Sequence, residues 1–125
     1  MYNNDIFDSF DGTEDMNELC KLAIERNKIE FLNFVVNNAL IDSFDDYKTI
    51  IYEHANLELY KLLEEVGNFD DLDMLSKNGR LDILQYRYER YGDSPGKDEY
   101  NTAKENDHTN VIEWLKQIAI DKLYK

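Results

Sequence analysis

Leu75-Ser76-Lys77-Asn78-Gly79-Arg80-Leu81-Asp82-Ile83-Leu84 decides how this chain is read. It gives the end of one helix, a turn at Gly79 and the start of a second helix. The same pattern recurs around Asn27, Ala55 and Asp107, so one small unit is written four times. Four residues before the turn stand Ala23, Ile51, Leu75 and Ala103. After it, apolar residues recur at offsets +4, +5, +7 and +8, as in Phe31, Leu32, Phe34 and Val35, while +3 and +6 are polar, as in Glu58 and Lys61. That spacing is one face of a 3.6-residue period. The bulky +7 residues Phe34, Leu62, Tyr86 and Trp114 are expected in the core. Each unit is an amphipathic hairpin that cannot bury its apolar face alone, and stacking on a neighbour buries it.

On these residues, above all Leu75 to Leu84 and Ala103-Lys104-Glu105-Asn106-Asp107-His108-Thr109-Asn110-Val111-Ile112-Glu113-Trp114-Leu115, the chain resembles the ankyrin-repeat family. The resemblance implies an all-α stack of about four helical hairpins, binding without catalysis, and a histidine beside the turn, the place of His54 and His108. No unit has a threonine-proline-leucine-histidine opening, and the turns lie closer together than the family's period of about 33 residues. Another helical solenoid or a compact α-helical bundle carries the same pattern.

At 125 residues the chain is expected to form a single domain, 1–125. Its expected parts are an N-terminal lead or cap over 1–17, four hairpins over 18–117 and a helix end over 118–125. One proline and five glycines suit helical hairpins. No apolar run of membrane-spanning length occurs, and Met1-Tyr2-Asn3-Asn4-Asp5 opens without the basic and apolar regions of a secretory signal. The expected compartment is the cytoplasm. The lone Cys20 is read as a small apolar core residue.

Asp8-Ser9-Phe10-Asp11, Asp42-Ser43-Phe44-Asp45 and Gly67-Asn68-Phe69-Asp70-Asp71 punctuate the units. Each stands ahead of an expected first helix, where Ser, Asn or Asp caps free N–H groups and the ring plugs a joint. Charge is distributed unevenly. Residues 1–75 hold 18 Asp and Glu against five Lys and Arg, whereas 76–125 hold nine of each, so the whole formal charge of −13 sits in the first part. Such an acidic surface repels nucleic-acid phosphate and anionic lipid, and its natural complement is a basic protein. The expected partner contacts are Asp42, Asp45, Asp46, Asp70, Asp71 and Asp73.

No catalytic or metal motif fits the sequence. The segment from Asp42 to Glu53 places Phe44 and Tyr47 where a calcium loop needs an oxygen ligand and a glycine. One Cys and two His cannot supply a zinc set, and no phosphate loop or nucleophile elbow occurs. His54 and His108 are read as turn residues. No enzyme, cofactor or metal is expected. The run Tyr86-Arg87-Tyr88-Glu89-Arg90-Tyr91 alternates rings with charge, and Tyr88 and Tyr91 are expected to reach solvent and join the partner contacts, with Arg87 and Arg90 as surface charges.

The sequence therefore points to a non-enzymatic, acidic protein-binding module that inhibits or neutralises a basic partner, in the manner of an immunity protein against a nuclease toxin or a viral or phage inhibitor of a host factor. The alternatives are an adaptor joining a partner to larger machinery and, remotely, a small enzyme without a recognisable motif.

Overall fold

A computed structural model describes residues 16–123, and over that span every regular element is helical. The helices are α1 (Met16–Glu25), α2 (Ile29–Asn37), α3 (Lys48–His54), α4 (Leu57–Glu64), α5 (Leu72–Lys77), α6 (Leu81–Tyr91), α7 (Lys97–Glu105) and α8 (Thr109–Leu123), with a 3-10 turn, Asp45–Tyr47, leading into α3. Short turns at the expected positions Asn27, Ala55, Gly79 and Asp107 join them in successive pairs. The tetrapeptide Asp8 to Asp11 and most of the 1–17 lead lie outside the described residues.

The chain divides into two compact units, one ending at Asn68 and one beginning at Phe69. In the first, α1 packs on α2 within its hairpin and on α3 of the next, while α2 meets α4. In the second, α5 packs on α6 and α7, and α7 on α8. First helices thus pair with first helices in both units.

The turns explain why the hairpins close so tightly. Asn27, Gly79 and Asp107 all take positive φ (53°, 66° and 60°), as does Ala39 (49°) after α2. At Asn27 its own N–H bonds Ile24 C=O (3.2 Å) and the Lys28 N–H bonds Ala23 C=O (2.8 Å), a left-handed helix stop that satisfies two orphan carbonyls. Gly79/Arg80 (3.2 and 2.9 Å), Asp107/His108 (3.2 and 2.9 Å) and Ala39/Leu40 (3.2 and 3.1 Å) repeat that pair of bonds. Lys28 (φ −84°, ψ 77°) and Arg80 (φ −86°, ψ 66°) then make inverse γ-turns that send the chain straight into the second helix. Asn38, Asn78 and Asn106, each just before a left-handed residue, donate Nδ2 to the carbonyl four residues earlier at 2.8 Å. Ala55 is the exception. Its φ of −66° and ψ of 127° are extended, because α3 stops at His54 and Asn56 caps α4, accepting from the Leu59 N–H at 2.9 Å.

Burial follows the repeat. Ala23, Ile51, Leu75 and Ala103 are buried, as are Phe31, Leu32, Leu59, Tyr60, Ile83, Leu84 and Val111 at offsets +4 and +5. Fully burying one such large side chain contributes about 1.5–3 kcal/mol. The expectation for +7 needs correction: Phe34, Leu62, Tyr86 and Trp114 are half-buried, and the deepest face runs through +8. There Val35, Leu63 and Leu115 are buried, and so is Arg87, at 8 % exposure. A mean helical turn of 100° per residue places +8 between +4 and +5, at the centre of the buried stripe, while +7 falls outside that arc.

In both units a side chain from one turn binds the backbone of the adjacent turn. Asn27 donates Nδ2 to the His54 carbonyl (2.9 Å) and accepts the Asn56 N–H on Oδ1 (2.7 Å). In the second unit His108 Nε2 donates to the Lys77 carbonyl at 2.7 Å, with its ring lying over Gly79.

Candidate functional site

The connection between the first two hairpins carries three exposed aspartates, Asp42, Asp45 and Asp46. Phe44 and Tyr47 are buried with ring centroids 6.0 Å apart, anchoring a 3-10 turn from which the intervening side chains must project outward. Ser43 Oγ accepts the Asp45 N–H at 2.9 Å. A serine hydroxyl therefore does the local capping, and the carboxylates of Asp42, Asp45 and Asp46 remain exposed. Asp42 and Asp46 make no hydrogen bond or ion pair among the described residues, and Asp45 has only Lys48 at 3.9 Å, a surface pair worth little.

Beside this turn lies an open hollow of about 280 Å³ lined by Asn17, Glu18 and Lys21 of α1 and by Asp46, Tyr47, Thr49 and Ile50. Tyr47 donates its hydroxyl to Asn17 Oδ1, which ties α1 to the 3-10 turn and shapes the floor. Glu18 of α1 and Asp46 of the 3-10 turn give the hollow two exposed carboxylates against the single ammonium of Lys21. Apolar floor and anionic rim together suit the stem and head of an incoming lysine or arginine.

The second group of expected contacts behaves differently. Asp70 is exposed. Asp71 caps α5, accepting the Met74 N–H at 3.1 Å, and Asp73 accepts the Thr102 hydroxyl, joining α5 to α7. Of the six aspartates expected to meet a partner, these two already hold the second unit together.

Tyr91 is exposed, at 47 %, and stands edge-on to Tyr86 with centroids 6.2 Å apart. Tyr88 is half-buried and meets Trp114 in a T-shaped contact at 5.7 Å. The guanidinium carbons of Arg87 and Arg90 lie 4.6 and 5.3 Å from the Tyr91 ring centre. Arg90 is the surface charge expected of it, whereas Arg87 is not. Its Nε and Nη2 both bind Asp93 Oδ2, at 2.8 and 2.7 Å. The signal was present in the repeat, since Arg87 stands at +8, where the other three hairpins place Val35, Leu63 and Leu115.

Burial pushes the Cys20 thiol up to about 11, the character of a core residue rather than a nucleophile. Among the described residues no three His, Cys, Asp or Glu side chains are grouped to hold a metal ion, and no helix is long and apolar enough to cross a membrane. No protein-family model, no curated protein and no solved structure matches this chain at a significant level.

Proposed function

We propose that this chain is a non-enzymatic, cytoplasmic binding module, an ankyrin-like stack of helical hairpins whose acidic first unit captures a basic protein. The observation that carries this reading is the set of exposed carboxylates, Asp42, Asp45 and Asp46, beside a hollow that Glu18 also lines. Residues 1–68 hold 15 acidic and five basic groups, a net of −10, against −3 for residues 69–125. Concentrated charge of one sign steers an oppositely charged partner and speeds its association. Small size and acidity suit an inhibitor that must intercept a harmful basic protein, such as a nuclease toxin or a host factor, before it acts.

Affinity capture from the native source with mass spectrometry identifies the partner, and stopped-flow association then tests the mechanism. Asp42→Lys/Asp45→Lys/Asp46→Lys should slow association at least tenfold and flatten its salt dependence, with little change in melting temperature. An acidic partner, or an unchanged association rate in the folded triple variant, would overturn the reading. An adaptor function is the second reading, and what it requires is a docking surface of different character on the second unit.

A further inference from the structure

The second unit contains such a surface, and it arises from a mismatch in helix length. Helix α8 runs for 15 residues and its hairpin partner α7 for nine. Six residues at 1.5 Å rise amount to about 9 Å of helix beyond the length of α7. Leu115, Ile118, Ala119 and Lys122 stand at i, i+3, i+4 and i+7, one stripe of α8. Together with Pro95 and Gly96 of the turn before α7, and Lys97 and Tyr100 of α7 itself, they line an open groove of about 420 Å³.

Its chemistry is opposite to that of the first unit. Leu115 and Ile118 are buried beneath it, Pro95 and Tyr100 are half-buried, and the only charged residues lining it are Lys97, Lys116 and Lys122. Lys97 pairs with no carboxylate among the described residues. Lys116 is 52 % exposed with Glu113 at 3.7 Å, and Lys122 donates to the Ser94 hydroxyl, contacts that an incoming carboxylate can replace. In a protein of net charge −13, a groove lined by three ammonium groups and no carboxylate is a local inversion of sign.

We infer that this groove docks an acidic peptide segment of a second protein, with a leucine or phenylalanine entering between α7 and α8 and flanking Asp or Glu side chains meeting Lys97, Lys116 and Lys122. Charge complementarity selects the acidic residues, and the apolar floor selects the anchor. An anionic membrane is disfavoured, because the sign inversion is confined to a concave site while the whole chain repels such a surface. The inference stands apart from the capture of a basic protein by the first unit.

The test uses the full chain and a fluorescein-labelled synthetic peptide, Gly-Asp-Glu-Leu-Glu-Phe-Leu-Asp, followed by fluorescence anisotropy. The wild type should bind it with micromolar affinity, and Lys97→Glu/Lys116→Glu should weaken binding at least tenfold. Ala119→Glu, which places a carboxylate in the groove, should weaken it comparably. Lys104→Glu, a charge reversal of the same kind at one site outside the groove, and Asp45→Lys/Asp46→Lys should weaken it less than about twofold, with helicity by circular dichroism unchanged in every variant. Failure of the wild type to bind, or equal loss in Lys104→Glu, would overturn the inference. So would binding of phosphatidylserine vesicles in place of the peptide, or self-association that Lys97→Glu/Lys116→Glu abolishes while the peptide remains unbound.

Discussion

The two units solve one problem in opposite directions. Adjacent hairpin turns must be tied together, and in the first unit the earlier turn reaches forward, Asn27 holding both His54 and Asn56. In the second unit the later turn reaches back, His108 holding Lys77. The amide supplies a donor and an acceptor at once, whereas the imidazole supplies one donor and covers the neighbouring turn with its ring. Residue choice follows from that difference. A Cβ on Gly79 would come within 2.5 Å of His108 Nδ1, so the second unit needs glycine there, while Ala55 fills the corresponding position of the first.

The contrast can be broken most severely at Arg87. It sits at the position that Val35 and Leu63 fill in the first unit, and Arg87→Glu should cost about 3–5 kcal/mol by leaving a buried carboxylate beside Asp93. Arg87→Leu, which restores the composition of the other hairpins but leaves the part-exposed Asp93 without its partner, should cost less than Arg87→Glu, both read by urea denaturation. A surface arginine would show almost no cost for either change, and that result would return Arg87 to the surface role its sequence neighbours suggest.

Next in size is Gly79→Ala. A left-handed alanine costs about 1–2 kcal/mol, and displacing the His108 ring forfeits a hydrogen bond worth about 1 kcal/mol. The expected loss is therefore about 2–3 kcal/mol, falling to the backbone part alone when His108→Ala is already present. A double-mutant cycle reads that coupling, and strict additivity would show that ring and turn are independent.

Asn27→Gly keeps the left-handed turn and removes only the tie, so it should cost about 1 kcal/mol. Asn27→Asp retains the acceptor for the Asn56 N–H and should cost less. The smallest effect runs the other way. Ala39 holds φ of 49° without a side-chain reason for doing so, and Ala39→Gly should raise stability by under about 1 kcal/mol once the entropy of glycine is charged against the relief. Thermal unfolding followed by circular dichroism measures both.

The hairpins were legible because their signals are local and repeated four times. Leu59, Tyr60, Ile83 and Leu84 announce their burial by spacing alone, and the left-handed stops at Asn27, Gly79 and Asp107 fall on residue types that tolerate them. Ala39 gave no such sign, since alanine is a helix former. Arg87 was hidden by its charge, although the repeat register placed it on the buried face. Asp71 and Asp73 could not be told from Asp42 by composition, because capping and pairing with Thr102 depend on which N–H or hydroxyl folding brings near. The two grooves were illegible in principle. One depends on how a 3-10 turn stands against α1, the other on how far α8 outruns α7.

The buried sulfur of Cys20 turns the first unit into its own timekeeper. A thiol pushed up to about 11 and sealed on the buried face of α1 is protonated at neutral pH and closed to a disulfide reagent, so it reacts only in the moments when the surrounding helices part. Because the sequence contains no other cysteine, the labelling rate reports the opening of that half of the chain alone. In alkali the same thiol shifts the balance: it ionises near 9 when exposed and only near 11 when buried, so each step of pH between those values draws the unit toward its open form.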